Sequence, residues 1–305
     1  MRLTELLQKE EVTISCELFP PKQGAQLANY KKLVGEMAAL KPAYMSVTYG
    51  ATGGTSDYTV ELADEVRNVN HIPALAHLTC ASSTKEKVAS VLAELKEKKI
   101  ENILALRGDI PADGDFPLPN QYHHASELIA QIREYGDFCI GGACYPEGHP
   151  EARTMFEDLE HLKEKVEAGC EFLTTQMFFD NNILYNFLYK ALKRGIDVPV
   201  VAGIMPVTNR AQVARIMSLS GNMIPPRFLA IVDRFGDHPA AMKQAGIAYA
   251  TEQIIDLIAN GVSHVHIYTM NKPDVAGAIL ENLSEIYVRS MMQPCGGNTY
   301  AKGRE

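Results

Sequence analysis

Eight short apolar segments, each followed by apolar residues at helical spacing, succeed one another about every 30 residues along the chain. This alternation limits the fold more than any other feature. A strand that is always followed by a helix pairs in parallel with the next strand, and the helix is the crossover. The segments predict strands over Thr13 to Phe19, Tyr44 to Thr48, Ala74 to Leu78, from Asn102 to a stop at Arg107-Gly108-Asp109, Phe138 to Ala143, Phe172 to Thr175, Val200 to Ile204, and Val265 to Tyr268. Helices are predicted over Leu27 to Leu40, around Leu62, Val66 and Val69, after a capping box of Ser83 with Glu86, over Ser126 to Tyr135, over Thr154 to Ala168, and around Leu184, Phe187, Leu188 and Ala191. Two shorter helices split by Pro225-Pro226 and a long one from Ala240 to Asn260, stopped by Gly261, precede the last strand. A final helix follows Pro273.

Length alone would allow two domains, but 305 residues also suit one (β/α)8 barrel. No composition break interrupts the alternation. The expected α/β fold is therefore a single TIM-barrel domain over 1–305, with its core over about 11–290, an N-terminal extension, extra helices before strand 8, and a polar tail over 294–305. A doubly wound open sheet is the structural alternative. No GxGxxG follows the first strand, which argues against a dinucleotide-binding Rossmann unit.

Charge and composition remove several functions. The net charge of -8 and the absence of a basic stripe oppose nucleic-acid binding. No apolar run is long enough to span a bilayer, and the N-terminus MRLTELLQKEE lacks the apolar region of a secretory signal. Six scattered cysteines without a CxxC pair indicate reduced thiols and a cytoplasmic protein.

In a barrel of this kind the active site lies at the C-terminal ends of the strands. The predicted ends carry Glu17, Thr48, His77, Arg107 with Asp109, Tyr145, Gln176 and Tyr268, whereas strand beginnings and middles read as nearly all apolar. Glu17 shares a strand face with Ser15 and Phe19, and a carboxyl at an apolar mouth should have a raised pKa, suited to a general acid. An ion pair with Lys22 is the alternative reading. His264 and His266 lie on one strand face and would be the ligands of a zinc-dependent barrel enzyme, with His77 the only other histidine at a predicted strand end; the expectation from the sequence is no metal. His123 and His124 read as a solvated loop pair.

The order of motifs carries a more specific signal. Cys16-Glu17-Leu18-Phe19-Pro20-Pro21-Lys22, Val47-Thr48-Tyr49-Gly50-Ala51, His77-Leu78-Thr79-Cys80, Leu104-Ala105-Leu106-Arg107-Gly108-Asp109, Tyr145-Pro146-Glu147 with His149-Pro150, Thr175-Gln176-Met177-Phe178-Phe179-Asp180, Gly203-Ile204-Met205-Pro206 and His266-Ile267-Tyr268-Thr269-Met270-Asn271 occur at barrel spacing. Together they resemble the single-domain bacterial methylenetetrahydrofolate reductases. The resemblance implies an FAD-dependent oxidoreductase that reduces methylenetetrahydrofolate to methyltetrahydrofolate and so supplies methyl groups to methionine or acetyl-CoA synthesis. It also implies NADH or NADPH as electron donor and a homo-oligomer. An electron-transfer partner protein in place of the nicotinamide is the alternative that the resemblance leaves open.

By position, the resemblance assigns Glu17 and Asp109 as catalytic. It assigns Thr48, Tyr49, Ala51, His77, Arg107, Gly108, Asp109, Ala125, Tyr145, His149, Ala152, Asp158 and Lys165 to the flavin, with Arg107 and Lys165 toward its pyrophosphate. Glu17, Asp109, Gln176, Gln212, Tyr268 and Lys272 fall on the substrate side. The chain departs from the family pattern at His161 and Glu164, where Asn and Arg are usual, and at Lys272, where Arg would grip a carboxylate in bidentate fashion. Ile216 lies near the place of an aromatic that stacks on nicotinamide in some members.

Overall fold

The computed structural model describes residues 1–21, 27–49, 56–81, 83–110, 116–220 and 223–287. Lys22, Ala51 and the predicted polar tail lie outside the described residues. The strands are β1 (Thr13–Leu18), β2 (Met45–Val47), β3 (Ala74–Thr79), β4 (Asn102–Leu106), β5 (Cys139–Cys144), β6 (Phe172–Thr175), β7 (Val200–Ile204) and β8 (His264–Ile267). Each pairs in parallel with the next, and β8 closes on β1, with Ser15 opposite His266. The (β/α)8 barrel expected from the alternation is the observed fold. An open sheet is excluded by that closing ladder.

Helix α1 (Leu3–Leu7) precedes β1, and the crossovers are α2 (Leu27–Ala38), α3 (Ser56–Asp64), α4 (Lys85–Glu97), α5 (Ala125–Tyr135), α6 (Met155–Glu167) and α7 (Asn181–Lys193). Three helices, α8 (Arg210–Ser220), α9 (Pro226–Phe235) and α10 (Pro239–Ala259), intervene before β8, and α11 (Pro273–Asn282) follows it. Their inward stripes explain why these segments are helical. On α4, for example, Val88, Val91, Leu92 and Leu95 are buried against the barrel wall. Gly261 follows α10 with a positive φ of 85°, as a helix stop requires. The α8–α10 insertion has its own core, in which Phe179, Val213, Ile216, Phe228, Val232 and Met242 pack together.

Two local expectations are corrected. The cap of α4 is Thr84, which accepts from the Lys87 N–H at 3.2 Å. Ser83 is not the cap, because its hydroxyl is engaged by Tyr49 Oη at 3.0 Å. Nor are the strand interiors nearly all apolar. Thr13, Ser15, Ser46, Thr174, His264 and His266 are buried within the sheet, and β3 continues to Thr79, so that His77 lies inside the strand rather than at its end. The lumen tolerates these groups because most of them bond to one another.

That pairing is best seen around the two histidines of β8. His264 Nε2 donates to the Leu7 carbonyl at 2.9 Å, which leaves Nδ1 to accept from the Thr13 hydroxyl at 2.9 Å. His266 is held between Ser15 at 2.7 Å and Ser46 at 3.0 Å. Tyr44 stacks on its ring at 5.6 Å. Both nitrogens of each ring are therefore occupied within the barrel. Below them, Leu3 and Leu7 of α1 enter a cluster with Leu75, Leu104, Phe172 and Val201 and close the N-terminal end. The Leu3 N–H donates to Asn102 Oδ1 at 2.8 Å, which fixes the plug to β4.

Candidate functional site

The opposite end of the barrel is built differently. Glu17, the penultimate residue of β1, is only 6% exposed. Burial pushes its carboxyl up to about 8, and no hydrogen bond or opposite charge among the described residues offsets that shift. His77 on β3 is 7% exposed, and its Nε2 is buried without a partner. Burial pushes this imidazole down to about 3, so the ring is neutral. Buried polar groups are rarely left unpaired, so a buried acid at the mouth and an unpartnered imidazole nitrogen within β3 mark a place prepared for a ligand.

Tyr268, just beyond β8, crosses the mouth to donate to the Thr175 carbonyl at 2.5 Å. Gly203 makes that crossing possible, because a Cβ there would lie 2.5 Å from both Tyr268 Oη and the Thr175 carbonyl oxygen. The phenol is raised well above its usual range, first by burial and then by the Glu17 charge. Tyr145 also acts on Tyr268. Gln176 follows Thr175; its N–H donates to the Cys144 carbonyl at 2.7 Å, while its side-chain oxygen accepts from the Met177 N–H at 2.9 Å. Glu17, Gln176, Tyr268 and Tyr145 thus all stand at the C-terminal ends of their strands.

The residues expected on the flavin side gather at the ends of β2 to β5. Thr48 continues the sheet by donating its N–H to the Leu18 carbonyl at 2.9 Å, and Tyr49 beside it is buried. Arg107, Asp109 and Asp158 all act electrostatically on Tyr145, whose pKa burial raises. Tyr145 meets His149 edge-on at 4.7 Å. The His149 N–H donates to Asp158 at 3.2 Å, and the Ala152 N–H donates to the His149 carbonyl at 3.0 Å. Gly108 has a φ of 81° and packs against Thr79, so the chain turns there in a way that suits glycine. Asp109 is exposed at the rim. Ala125 is the first residue of α5, whose N-terminal amides receive no side-chain cap from His124. His123 and His124 are both exposed, as expected of a loop pair.

Several of these groups are engaged within the protein. Arg107 forms a bidentate pair with Glu151, at 2.5 and 2.8 Å. Lys165 donates to the Ala143 carbonyl at 2.6 Å, and burial lowers its pKa. Gln212 Oε1 accepts from the Thr208 N–H and hydroxyl and from Asn209, while Lys272 donates to the Thr208 hydroxyl at 2.9 Å. Thr208 therefore joins the two substrate-side positions that the sequence reading named separately. His161 and Glu164 are exposed on α6. Ile216 is buried in the core of the α8–α10 insertion. Sequence reasoning missed Glu151, the Ser83–Tyr49 contact and Thr208, because the links from Glu151 to Arg107, from Ser83 to Tyr49 and from Thr208 to Lys272 join residues distant along the chain. No group of three or more His, Cys, Asp or Glu side chains is placed to hold a metal among the described residues. Nor is any described helix long and apolar enough to cross a membrane.

What remains is a buried acid and an amide at this rim, a neutral imidazole with a free nitrogen within β3, and a nearby cationic group. The set suits a planar polar ring system with hydrogen-bonding edges, a class that includes both flavins and pterins.

Comparison with known proteins gives a consistent result. The family model for methylenetetrahydrofolate reductase matches residues 2–284. A 5,10-methylenetetrahydrofolate reductase from Pectobacterium carotovorum is 33% identical over 272 residues, covering 89% of this chain and 90% of the relative. The maize methylenetetrahydrofolate reductase (NADH) 1 is 34% identical over 306 residues, covering 96% of this chain but 52% of the relative. The chain thus spans nearly the whole bacterial relative and about half the plant one. A solved Clostridium thermocellum structure, of an uncharacterized protein that binds two copies of 5-methyl-5,6,7,8-tetrahydrofolic acid, aligns with a TM-score of 0.67. It covers 94% of this chain and 100% of its own at 13% identity, which establishes a shared fold.

Proposed function

The chain belongs to the methylenetetrahydrofolate reductase family, and from that premise we propose that it reduces methylenetetrahydrofolate to methyltetrahydrofolate with FAD as cofactor and NADH as donor. The observation that carries the reading is Glu17. Within this family's barrel, a buried carboxyl with a pKa of about 8 is a proton donor at neutral pH. The maize relative's name specifies NADH, which favours that donor.

The described residues fit a flavin. His77 Nε2 is a buried polar atom in need of a partner, and Arg107 offers a guanidinium for phosphate once it leaves Glu151. Thr48, Tyr49, His77, Arg107, Gly108, Ala125, Tyr145, His149, Ala152, Asp158 and Lys165 would hold the cofactor, and Ala51 joins them by its place in the motif. Bound there, FAD would supply the hydride chemistry. The protein's own residues would prepare the folate. Glu17 delivers a proton to the amine nitrogen of the bridging methylene as its C–N bond breaks, which leaves the carbon as an iminium able to accept hydride. The barrel mouth favours this step because burial keeps Glu17 protonated until the amine requires the proton. Asp109 and Gln176 would orient the pterin, and Lys272, with Gln212 joined to it through Thr208, would meet the more distal carboxylates as a point charge.

The test separates the two half-reactions. Purified protein should carry flavin absorbance that NADH bleaches and methylenetetrahydrofolate restores. Glu17→Gln should leave bleaching intact and slow the restoration by about 10²–10⁴-fold. Restoration at the wild-type rate in Glu17→Gln would remove Glu17 from the chemistry.

A further inference from the structure

Among the described residues the Glu17 side chain has no hydrogen-bond partner to set its position, so its aim depends on the backbone that carries it. That backbone lies where the regular ladder stops. The register between β1 and β8 ends at Cys16 opposite Ile267. Beyond Phe19, Pro20 and Pro21 have no N–H to continue it. Two side chains from the loop after β8 take over. The buried Thr269 hydroxyl donates to the Glu17 carbonyl at 2.7 Å. Asn271 accepts from the Phe19 N–H at 2.9 Å and donates to the Phe19 carbonyl at 3.0 Å, which is the two-bond pattern of a neighbouring strand.

The loop adopts an unfavourable conformation to make this contact. Met270 and Asn271 have φ of 52° and 56°, two successive left-handed residues without a glycine. Asn tolerates that region better than most residues, whereas Met does not. The same turn leads directly to Lys272, whose N–H donates to the Thr269 carbonyl at 3.1 Å and whose ammonium reaches Thr208.

We propose that Thr269 and Asn271 are positioning residues that hold the Glu17 carboxyl at the barrel mouth and in register with Lys272. The proposal rests on the reading of Glu17 as the acid, and its test has one arm that does not. The titratable neighbours of Glu17 do not confuse that arm. Tyr268 is raised well above its usual range, and His266 behind it is pushed down to about 3, so both are neutral near pH 7.

Three variants test the clamp. Asn271→Gly keeps the left-handed turn and removes both side-chain bonds. Thr269→Val keeps the shape and removes the hydroxyl. Asn271→Asp keeps the acceptor for the Phe19 N–H and loses the donor. The first readout is the infrared band of protonated Glu17 at pH 7, identified by its loss in Glu17→Gln. It should weaken in Asn271→Gly and Thr269→Val, because a loosened strand end admits water to the carboxyl. The second readout is the folate half-reaction. It should slow about tenfold or more, with flavin reduction and KM for folate within about threefold of wild type. Asn271→Asp should fall between Asn271→Gly and wild type. An unchanged band and an unchanged folate rate in both Asn271→Gly and Thr269→Val, with circular dichroism showing them folded, would overturn the proposal. A wild-type protein that fails to reduce the folate would overturn the functional reading alone, and the infrared comparison would still decide whether the clamp positions Glu17.

Discussion

The two ends of the barrel contain similar residue types and use them in opposite ways. At the N-terminal end, His264 has both nitrogens bonded, Asn102 ties down Leu3, and apolar side chains of α1 fill the remaining space. Tyr44, whose hydroxyl is buried without a partner, is an exception there. Towards the C-terminal end, Glu17 has no bonded side-chain partner among the described residues, and His77 within β3 keeps a free buried nitrogen. A buried polar group that is satisfied internally stabilises the fold, whereas one left unsatisfied costs stability until a ligand arrives. The difference between the ends therefore lies in pairing and not in composition.

If that division is correct, substitutions at the two ends should change different measurements. The largest effect is expected at the plug. Leu7→Ala removes a side chain that is 3% exposed and packed beneath the lumen, and should lower stability by about 2–5 kcal/mol. Turnover per folded molecule should stay near wild type, since Leu7 lies at the far end of the barrel from Glu17. Chemical denaturation alongside kcat checks this. A large fall in kcat with little change in stability would break the division between the ends.

The mouth should behave in reverse, with an effect that depends on pH. Glu17 is pushed up to about 8 in the folded chain, from an ordinary value of 4.5. Below the ordinary value the group is protonated in both states and has no effect on stability. As pH rises from there towards 8, the unfolded chain ionises first, so Glu17 progressively destabilises the fold. Glu17→Gln should therefore gain stability with rising pH, by up to roughly 3 kcal/mol at pH 7, and show no gain near pH 4. Denaturation of both proteins across this range measures the difference. A gain independent of pH would mean that Glu17 is not buried as an acid.

The same contrast explains what the sequence could and could not reveal. Periodicity located all eight strands, and β6 and β7 were bounded to the residue, because alternating strand and helix is a local property. Glu17, Gln176 and Tyr268 were legible because strand ends in this fold face one rim. The polar lumen was not. Ser15, Ser46 and His266 are separated by as many as 251 residues, and only closure of the barrel turns them into a bonded group. The apolar run ends at Leu78, which puts His77 next to the predicted strand end, whereas pairing with β4 extends β3 through Thr79. Asn271 belonged to a recognised motif, yet its bonds to Phe19 depend on two left-handed residues that no periodicity encodes.

The smallest expected effect concerns a residue at the mouth that is paired. Arg107 is bound in bidentate fashion by Glu151, with side chains 24% and 58% exposed. The pair raises the Arg107 pKa and lowers that of Glu151, so both remain charged near neutral pH. If Arg107 receives the phosphates of the cofactor, Glu151 competes for the same guanidinium. Half-exposed ion pairs are worth about 0.2–1 kcal/mol, so Glu151→Gln should tighten flavin binding by no more than about fivefold. The gain should shrink as salt is added, because screening weakens the competing pair. Fluorescence titration of apoprotein with FAD at two ionic strengths measures both quantities. Weaker binding in Glu151→Gln would show instead that the pair is part of the cofactor site, and that Arg107 resembles the satisfied groups at the opposite end of the barrel.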